Sequence, residues 1–254
     1  MSSGPIPGAA GADRPEGPGR LAQLITSSNA AARAARRRGW KRDAVATRDA
    51  LMTAGTALFA ERGYDGVPVA LIAQKAGVNK AMISYHFGGK RGLYRAILVS
   101  SFAELAADLK AAEAEGQGAA RTLRALLACL SRVRERSPEF PVLFVREVLS
   151  HGVEPAALPH MAEILGVTQR VARRGMREGA FRRVDPIAMH FALFGSVVYF
   201  LATEPARARA MAGGQLPRMP DFPQFVRYLE ELTLRGLRPD SSPSPTRRRK
   251  GARA

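Results

Sequence analysis

Between residues 44 and 237 apolar side chains return every three or four positions, and no stretch alternates residue by residue. That period belongs to helices lying against a core, and it predicts an all-α chain. A first helix is expected over 44–62, with Leu51, Ala54, Leu58 and Phe59 on one face and Gly63 as its stop. Two short helices follow, over 69–76 and 79–87. Leu71, Ile72, Ala76, Val78, Ile83 and Phe87 are spaced to bury one side of both. Pro68 stands near the first turn of the former. Gly77 lies between them, where a sharp turn calls for positive φ. The arrangement reads as a helix-turn-helix, with a further helix on each side.

The helix after it starts at Lys90 and runs through Leu93, Ile97, Phe102 and Leu105 to about 113, before Gly116-Gln117-Gly118 breaks the chain. Residues 119–136 turn Leu123, Leu126, Leu127, Leu130 and Val133 inward. Ser137-Pro138 reads as a cap with proline at the first helical position, opening a helix that runs to His151 and stops at Gly152. The next covers 156–178, stopped by Gly179. Asp185-Pro186 repeats the cap-and-proline signal and opens a helix to Ala202. The Pro/Gly/Arg-rich stretch 203–220 reads as a loop, and a last helix covers 221–235. This layout places three helices in a small N-terminal domain and six behind it.

Charge changes the picture at the ends. Of 254 residues, 39 are Lys or Arg and 22 Asp or Glu, a net charge of +17. Residues 1–42 hold eight basic and two acidic side chains, and 238–254 hold six and one, so the tails supply 11 of the 17. Residues 1–19 and 239–254 have the composition of disorder, and 20–42 that of a transient Ala/Arg helix ended by Gly39. Polycationic tails suit a polyanion such as DNA phosphate, or they are solvating flanks with no fixed partner. The Arg-rich 20–42 stretch also has the composition of a transit peptide, though an arm beside the helix-turn-helix agrees better with the rest of the chain.

Other function classes find little support. Cys129 is the single cysteine, so no intrachain disulfide forms, which fits a reducing compartment. Its apolar helical setting suits a buried thiol more than a redox sensor. There is no secretory signal, and the longest apolar run, 187–202, is interrupted by His190 and falls short of the ~20 residues of a membrane span. A soluble protein with no membrane partner is expected. His86, His151, His160 and His190 lack metal-ligand spacing. No phosphate-binding loop or nucleophile elbow occurs, so neither enzymatic activity nor a cofactor is expected. Glu139, Glu147 and Glu178 read as surface charges.

The candidate chemistry sits on the 79–87 helix. With Ile83 placed at zero and about 100° per residue, Phe87 falls beside it and both face the core. Ala81 and Tyr85 fall nearly opposite, flanked by Met82 and Ser84, and these four should face a DNA groove. Asn79 and Lys80 lie at the helix start, near phosphate or base edges. Lys80 can donate to guanine O6/N7 or phosphate, and Ala81 and Met82 can touch thymine methyls. Ser84 can bond either way. Tyr85 and His86 can donate to phosphate oxygens, and Lys90 can anchor the DNA backbone. Tyr85 and His86 could equally cover the three-helix core.

The segment Leu58-Phe59-Ala60-Glu61-Arg62-Gly63-Tyr64, Ile72-Ala73, Ala76-Gly77-Val78, Lys80, Tyr85-His86-Phe87, Lys90 and Leu93-Tyr94 resembles the tetracycline-repressor (TetR) family of bacterial transcription regulators over roughly 45–100. The resemblance implies a cytoplasmic, nucleoid-associated homodimeric repressor that binds a double-stranded operator and is released by a small-molecule effector. It gives DNA contacts to Lys80, Ser84, Tyr85, His86 and Lys90, and a four-helix dimer interface to 186–202 and 221–235. The expected organisation is a basic arm (1–43), a helix-turn-helix domain (44–104), an effector-binding and dimerisation domain (105–237) and a basic tail (238–254).

Three features depart from the family pattern. Val67-Pro68 replaces the usual Ser or Thr before the second helix. Gly89-Lys90-Arg91 stands for Ser-Lys-Glu, exchanging an acid for a base at a helix start. The long arm brings Arg36, Arg37, Arg38, Lys41 and Arg42 within reach of a minor groove beside the bound helix. An effector pocket would draw on Phe140, Phe144, Met161, Phe191, Phe194 and Tyr199, with Arg146, His151 and His190 for polarity; the same aromatics also read as plain core. Gly195-Ser196 suits close helix approach at an interface or makes room for a bulky neighbour. The alternative function is an architectural, nonspecific nucleic-acid binder that works through its tails.

Overall fold

The computed structural model describes residues 43–150 and 152–239. The expectations for the arm, its Arg36–Arg38, Lys41 and Arg42, His151 and the tail beyond 239 lie outside the described residues. Helix α1 covers 43–62, followed by α2 (Val69–Ala76), α3 (Ala81–Phe87), α4 (Lys90–Glu115), α5 (Ala119–Arg136), α6 (Phe140–Ser150), a 3₁₀ turn (Pro155–Ala157) and α7 (Leu158–Arg177). Then come α8 (Pro186–His190), a π-helical turn (Phe191–Gly195), α9 (Ser196–Ala202), α10 (Glu204–Ala212) and α11 (Phe222–Leu237). Among the described residues there is no strand. Residues 49–239 belong to one compact unit, and α4 runs unbroken across position 104.

The helix-turn-helix is built as its spacing demands. Leu51, Phe59, Ile72, Ile83 and Leu93 are wholly buried in its core. Gly77 takes φ 68°, ψ 28°. From there the Gly77 N–H donates to the Gln74 carbonyl at 3.1 Å and the Val78 N–H to Ala73 at 3.0 Å, the paired bonds of a Schellman stop. Gly88 (φ 71°) and Gly89 (φ 120°) then turn the chain from α3 into α4. Close to that corner, a Cβ on Gly92 would lie 1.7 Å from the Phe87 carbonyl oxygen, so α3 and α4 meet at a distance only glycine permits.

Behind it, α4, α5 and α7 pack through Leu105, Leu109, Leu123, Leu127, Val167 and Val171. The Asp185 carboxylate accepts from the N–H groups of Ile187 and Ala188, both at 2.8 Å, with Pro186 next in the chain, as its sequence signal predicts. Asp221 and Gln224 form a capping box at the start of α11.

Four expectations need correction. Residues 203–220 are not all loop, because α10 occupies Glu204–Ala212. Pro205 sits in its first turn, where the missing N–H costs nothing, and the Ala/Arg run behind it has high helix propensity. Ser137 does not cap the next helix. It terminates α5, and its carbonyl accepts from Phe140 N–H at 3.1 Å, so α6 begins at Phe140. Glu147 is buried and accepts the Tyr94 hydroxyl at 2.6 Å. Glu178 accepts the Ala119 N–H at 3.0 Å and the Arg174 guanidinium at 2.6 Å, serving as a distant cap for α5. Neither carboxylate is a plain surface charge, and the partners, 53 and 59 residues away, give no local signal.

Candidate nucleic-acid interface and internal cavity

The α3 surface divides as the helical wheel requires. Ile83 is wholly buried and Phe87 half-buried against the core. Asn79, Lys80, Ala81, Ser84 and Tyr85 are exposed, Tyr85 at 65%. A tyrosine that exposed covers no core. His86 is half-buried, its ring 5.0 Å from that of Tyr85 at a near-perpendicular 85°. Met82 is half-buried and packs on the core, so only part of it is free for contact.

Asn79 has a structural task the wheel does not reveal. Its side-chain oxygen accepts the Ala81 N–H at 2.9 Å, tying down one of the donors left open at the start of α3. Lys90 lies half-buried at the first turn of α4, its ammonium 4.4 Å from the centre of the Tyr64 ring. The ring directs the cation rather than neutralising it. Tyr64 stacks on Phe59 at 5.9 Å, and both meet Tyr94 edge-on, at 4.9 and 5.0 Å. The Tyr94 hydroxyl is pushed far above its ordinary pKa by burial and by its bond to Glu147, so it stays a donor. This aromatic knot fixes the Lys90 end of the surface to α6.

The electrostatics favour a polyanion. From residue 66 to 103 the sequence holds Lys75, Lys80, Lys90, Arg91 and Arg95 and no acidic residue. Lys75 and Arg91 are exposed contributors that motif matching passes over. Arg95 is paired with Glu154 at 3.4 Å. The start of α2, where Pro68 stands in place of a hydroxyl residue, has no side-chain cap.

A second feature lies among α4, α5, α6, α7 and the Pro186–Ala202 stretch. It is a cavity of about 130 Å³ lined by residues that include Phe102, Phe140, Phe144, Met161, His190 and Phe194. Of the side chains suggested for a pocket, Phe140, Phe144, Met161, Phe194 and His190 come together. Phe191 and Tyr199 instead lie on the outside, 66% and 71% exposed. Arg146 turns away toward the end of α1, where its guanidinium donates to the Glu61 carbonyl at 3.4 Å. Phe102 was hidden to sequence reading because it counted only as a face of α4. Cys129 is buried, and burial raises its thiol pKa.

An exposed surface rich in basic residues, around a short helix seated on its own core, is the arrangement of a helix-turn-helix that binds DNA. Residues 51–97 match the model of a family described as bacterial regulatory proteins, tetR family. The chain is 27% identical over 199 residues to the HTH-type transcriptional repressor NicS of Pseudomonas putida, covering 76% of this chain and 92% of that one. In fold it is similar to the TetR family transcriptional regulator PfmR of Thermus thermophilus, with a TM-score of 0.60, 24% identity, and 74% and 99% of the two chains covered. It is also similar to FadR of Bacillus subtilis, solved in complex with stearoyl-CoA, with a TM-score of 0.61, 16% identity, and 74% and 98% covered. The similarity to the tetR family is carried by residues 51–97, the helix-turn-helix with parts of its two flanking helices.

Proposed function

We propose that this regulator is a homodimeric repressor that reads an inverted-repeat operator through α3 and leaves it when a small molecule fills the internal cavity. The observation that carries the reading is the α3 surface: Ala81, Ser84 and Tyr85 point outward beside Lys80, while Ile83 holds the helix from behind. Lys80, Ser84 and Tyr85 make groove contacts; His86, Lys90, Lys75 and Arg91 hold phosphate. Asn79 acts through the helix start, which its bond to the Ala81 N–H holds in place, and Ala81 and Met82 supply apolar contact to bases.

Pairing of two copies is supported by the far end of the chain. Ile187, Phe191 and Tyr199 on the α8–α9 stretch and Tyr228 and Leu232 on α11 are all at least 48% exposed. Large apolar side chains gathered on two helices mark an association surface. A Cβ at Gly195 would meet nothing within 4 Å, so this glycine makes room for no neighbour in its own chain. That supports the interface reading of Gly195-Ser196. The NicS relative is a repressor by name, and FadR, of the same fold, carries a bound acyl-CoA, which together favour ligand-controlled repression. Among the described residues no single helix is long and apolar enough to cross a membrane. Action in the cytoplasm, on the nucleoid, follows from the DNA partner.

Selection of duplexes from a random pool by the full-length protein tests the proposal. It should return an inverted repeat, with Lys80→Ala and Tyr85→Ala each weakening the selected site by about tenfold. Recovery of no repeat, or affinities unchanged within about twofold, would remove the α3 assignment.

A further inference from the structure

We infer that the internal cavity takes a monocyclic phenol, with its ring among the phenylalanines and its hydroxyl donated to Nε2 of His190. The location rests on the effector reading above; the ligand class rests on the cavity's own size and chemistry.

Size comes first. The cavity holds about 130 Å³. An apolar protein cavity of about 150 Å³ takes up benzene, so the space suits one aromatic ring. The walls suit an aromatic ring. Phe102 meets Phe140 and Phe144 edge-on at 5.1 and 5.2 Å, and Phe194 lies across the cavity with Met161. Such rings favour an aromatic guest in offset or edge-on contact.

Polarity then selects among aromatic guests. Among the described residues lining the cavity, His190 is the one polar side chain and there is no Lys, Arg, Asp or Glu. A carboxylate there would lose its hydration and gain no cation. The imidazole's proton can be placed. Thr168, fully buried, donates its hydroxyl to the Ile164 carbonyl one turn back, at 3.3 Å. With that hydrogen on the helix carbonyl, the usual threonine bond within a helix, Thr168 Oγ1, 3.2 Å from His190 Nδ1, accepts, and we take this tautomer. Nδ1 therefore carries the hydrogen, and burial, which lowers the His190 pKa, keeps the ring neutral. Nε2 is left as a bare lone pair, and the ligand must supply the donor. A phenol hydroxyl does so; a ketone, nitro or carboxylate group does not. Phe194 stacks on the imidazole at 4.6 Å and 20°, and the π-helical turn that starts at Phe191 sets this register, so the acceptor is held in place before the ligand arrives.

Calorimetric titration of the full-length protein near neutral pH with p-cresol, toluene and p-toluate tests this. One p-cresol should bind per chain, about tenfold tighter than toluene, because toluene leaves Nε2 without a donor. The p-toluate anion should bind weakest. His190→Leu should bring p-cresol to the toluene level and leave toluene within about twofold. Nitrogen NMR of the unaltered protein, which needs no variant, should show a neutral Nδ1–H ring at His190 whose Nε2 resonance moves on adding p-cresol. Equal binding of toluene and p-cresol, preference for p-toluate, no binding of any of the three, or an Nε2–H ring would each overturn the inference. Operator affinity measured alongside separates it from the effector reading. Binding of p-cresol that leaves operator affinity unchanged upholds the phenol site and removes the effector role. Release by another compound without p-cresol binding does the reverse.

Discussion

Single side chains in this protein owe their roles to the partner they meet. Tyr94 and Glu147 stand 53 positions apart, and their 2.6 Å hydrogen bond joins α4 to α6 inside the molecule. Tyr94→Phe removes the donor without changing the ring. It should lower unfolding free energy by about 1–3 kcal/mol in urea titration, the range for losing a buried hydrogen bond to an acidic group. His190 gives a pH signature. Burial depresses its folded pKa, so the unfolded chain binds the proton more readily. The protecting effect is complete above the unfolded value of about 6.5 and is lost as pH falls through the folded value. Comparing denaturation midpoints of the native chain and His190→Phe should show the native chain losing more stability between neutral and mildly acidic pH. A parallel loss in both would count against a buried neutral imidazole.

At the scale of elements, the corner between α3 and α4 is a point of close backbone approach in the helix-turn-helix. Gly92→Ala would place a methyl 1.7 Å from the Phe87 carbonyl, so the backbone must shift. That variant should melt several degrees lower by calorimetry and lose operator affinity even though Gly92 contacts no base. The outward face of α3 was open to sequence reading. A helical period is a local property, and Ile83 is buried and Tyr85 exposed as about 100° per residue requires. Helix stops at Gly63, Gly77 and Gly179 were equally local, each with φ near +70°. The start of α6 and the existence of α10 were not. Ser137-Pro138 precedes a helix that begins only at Phe140, whereas α10 begins at Glu204 with Pro205 in its first turn.

For the whole molecule, two properties separate a regulator from a nonspecific binder. Removing residues 1–42 and 239–254 should leave operator preference intact and flatten the salt dependence of binding, because those segments bring charge while the proposed base-reading face lies on α3. Loss of all binding on trimming would favour the architectural alternative. Pairing is tested separately: Tyr199→Glu with Leu232→Glu, both on exposed ground, should give a monomer by light scattering and weaken operator binding by more than either α3 variant. What the amino-acid order determined alone was everything carried within one or two helical turns: the all-helical period, the Gly77 turn, the outward face of α3 and the basic ends. What only the tertiary structure decided was which distant groups meet. Phe102 with Phe140, Thr168 with His190, and Glu178 with the open end of α5 are brought together by packing of helices far apart in the chain, and no local spacing encodes such a meeting.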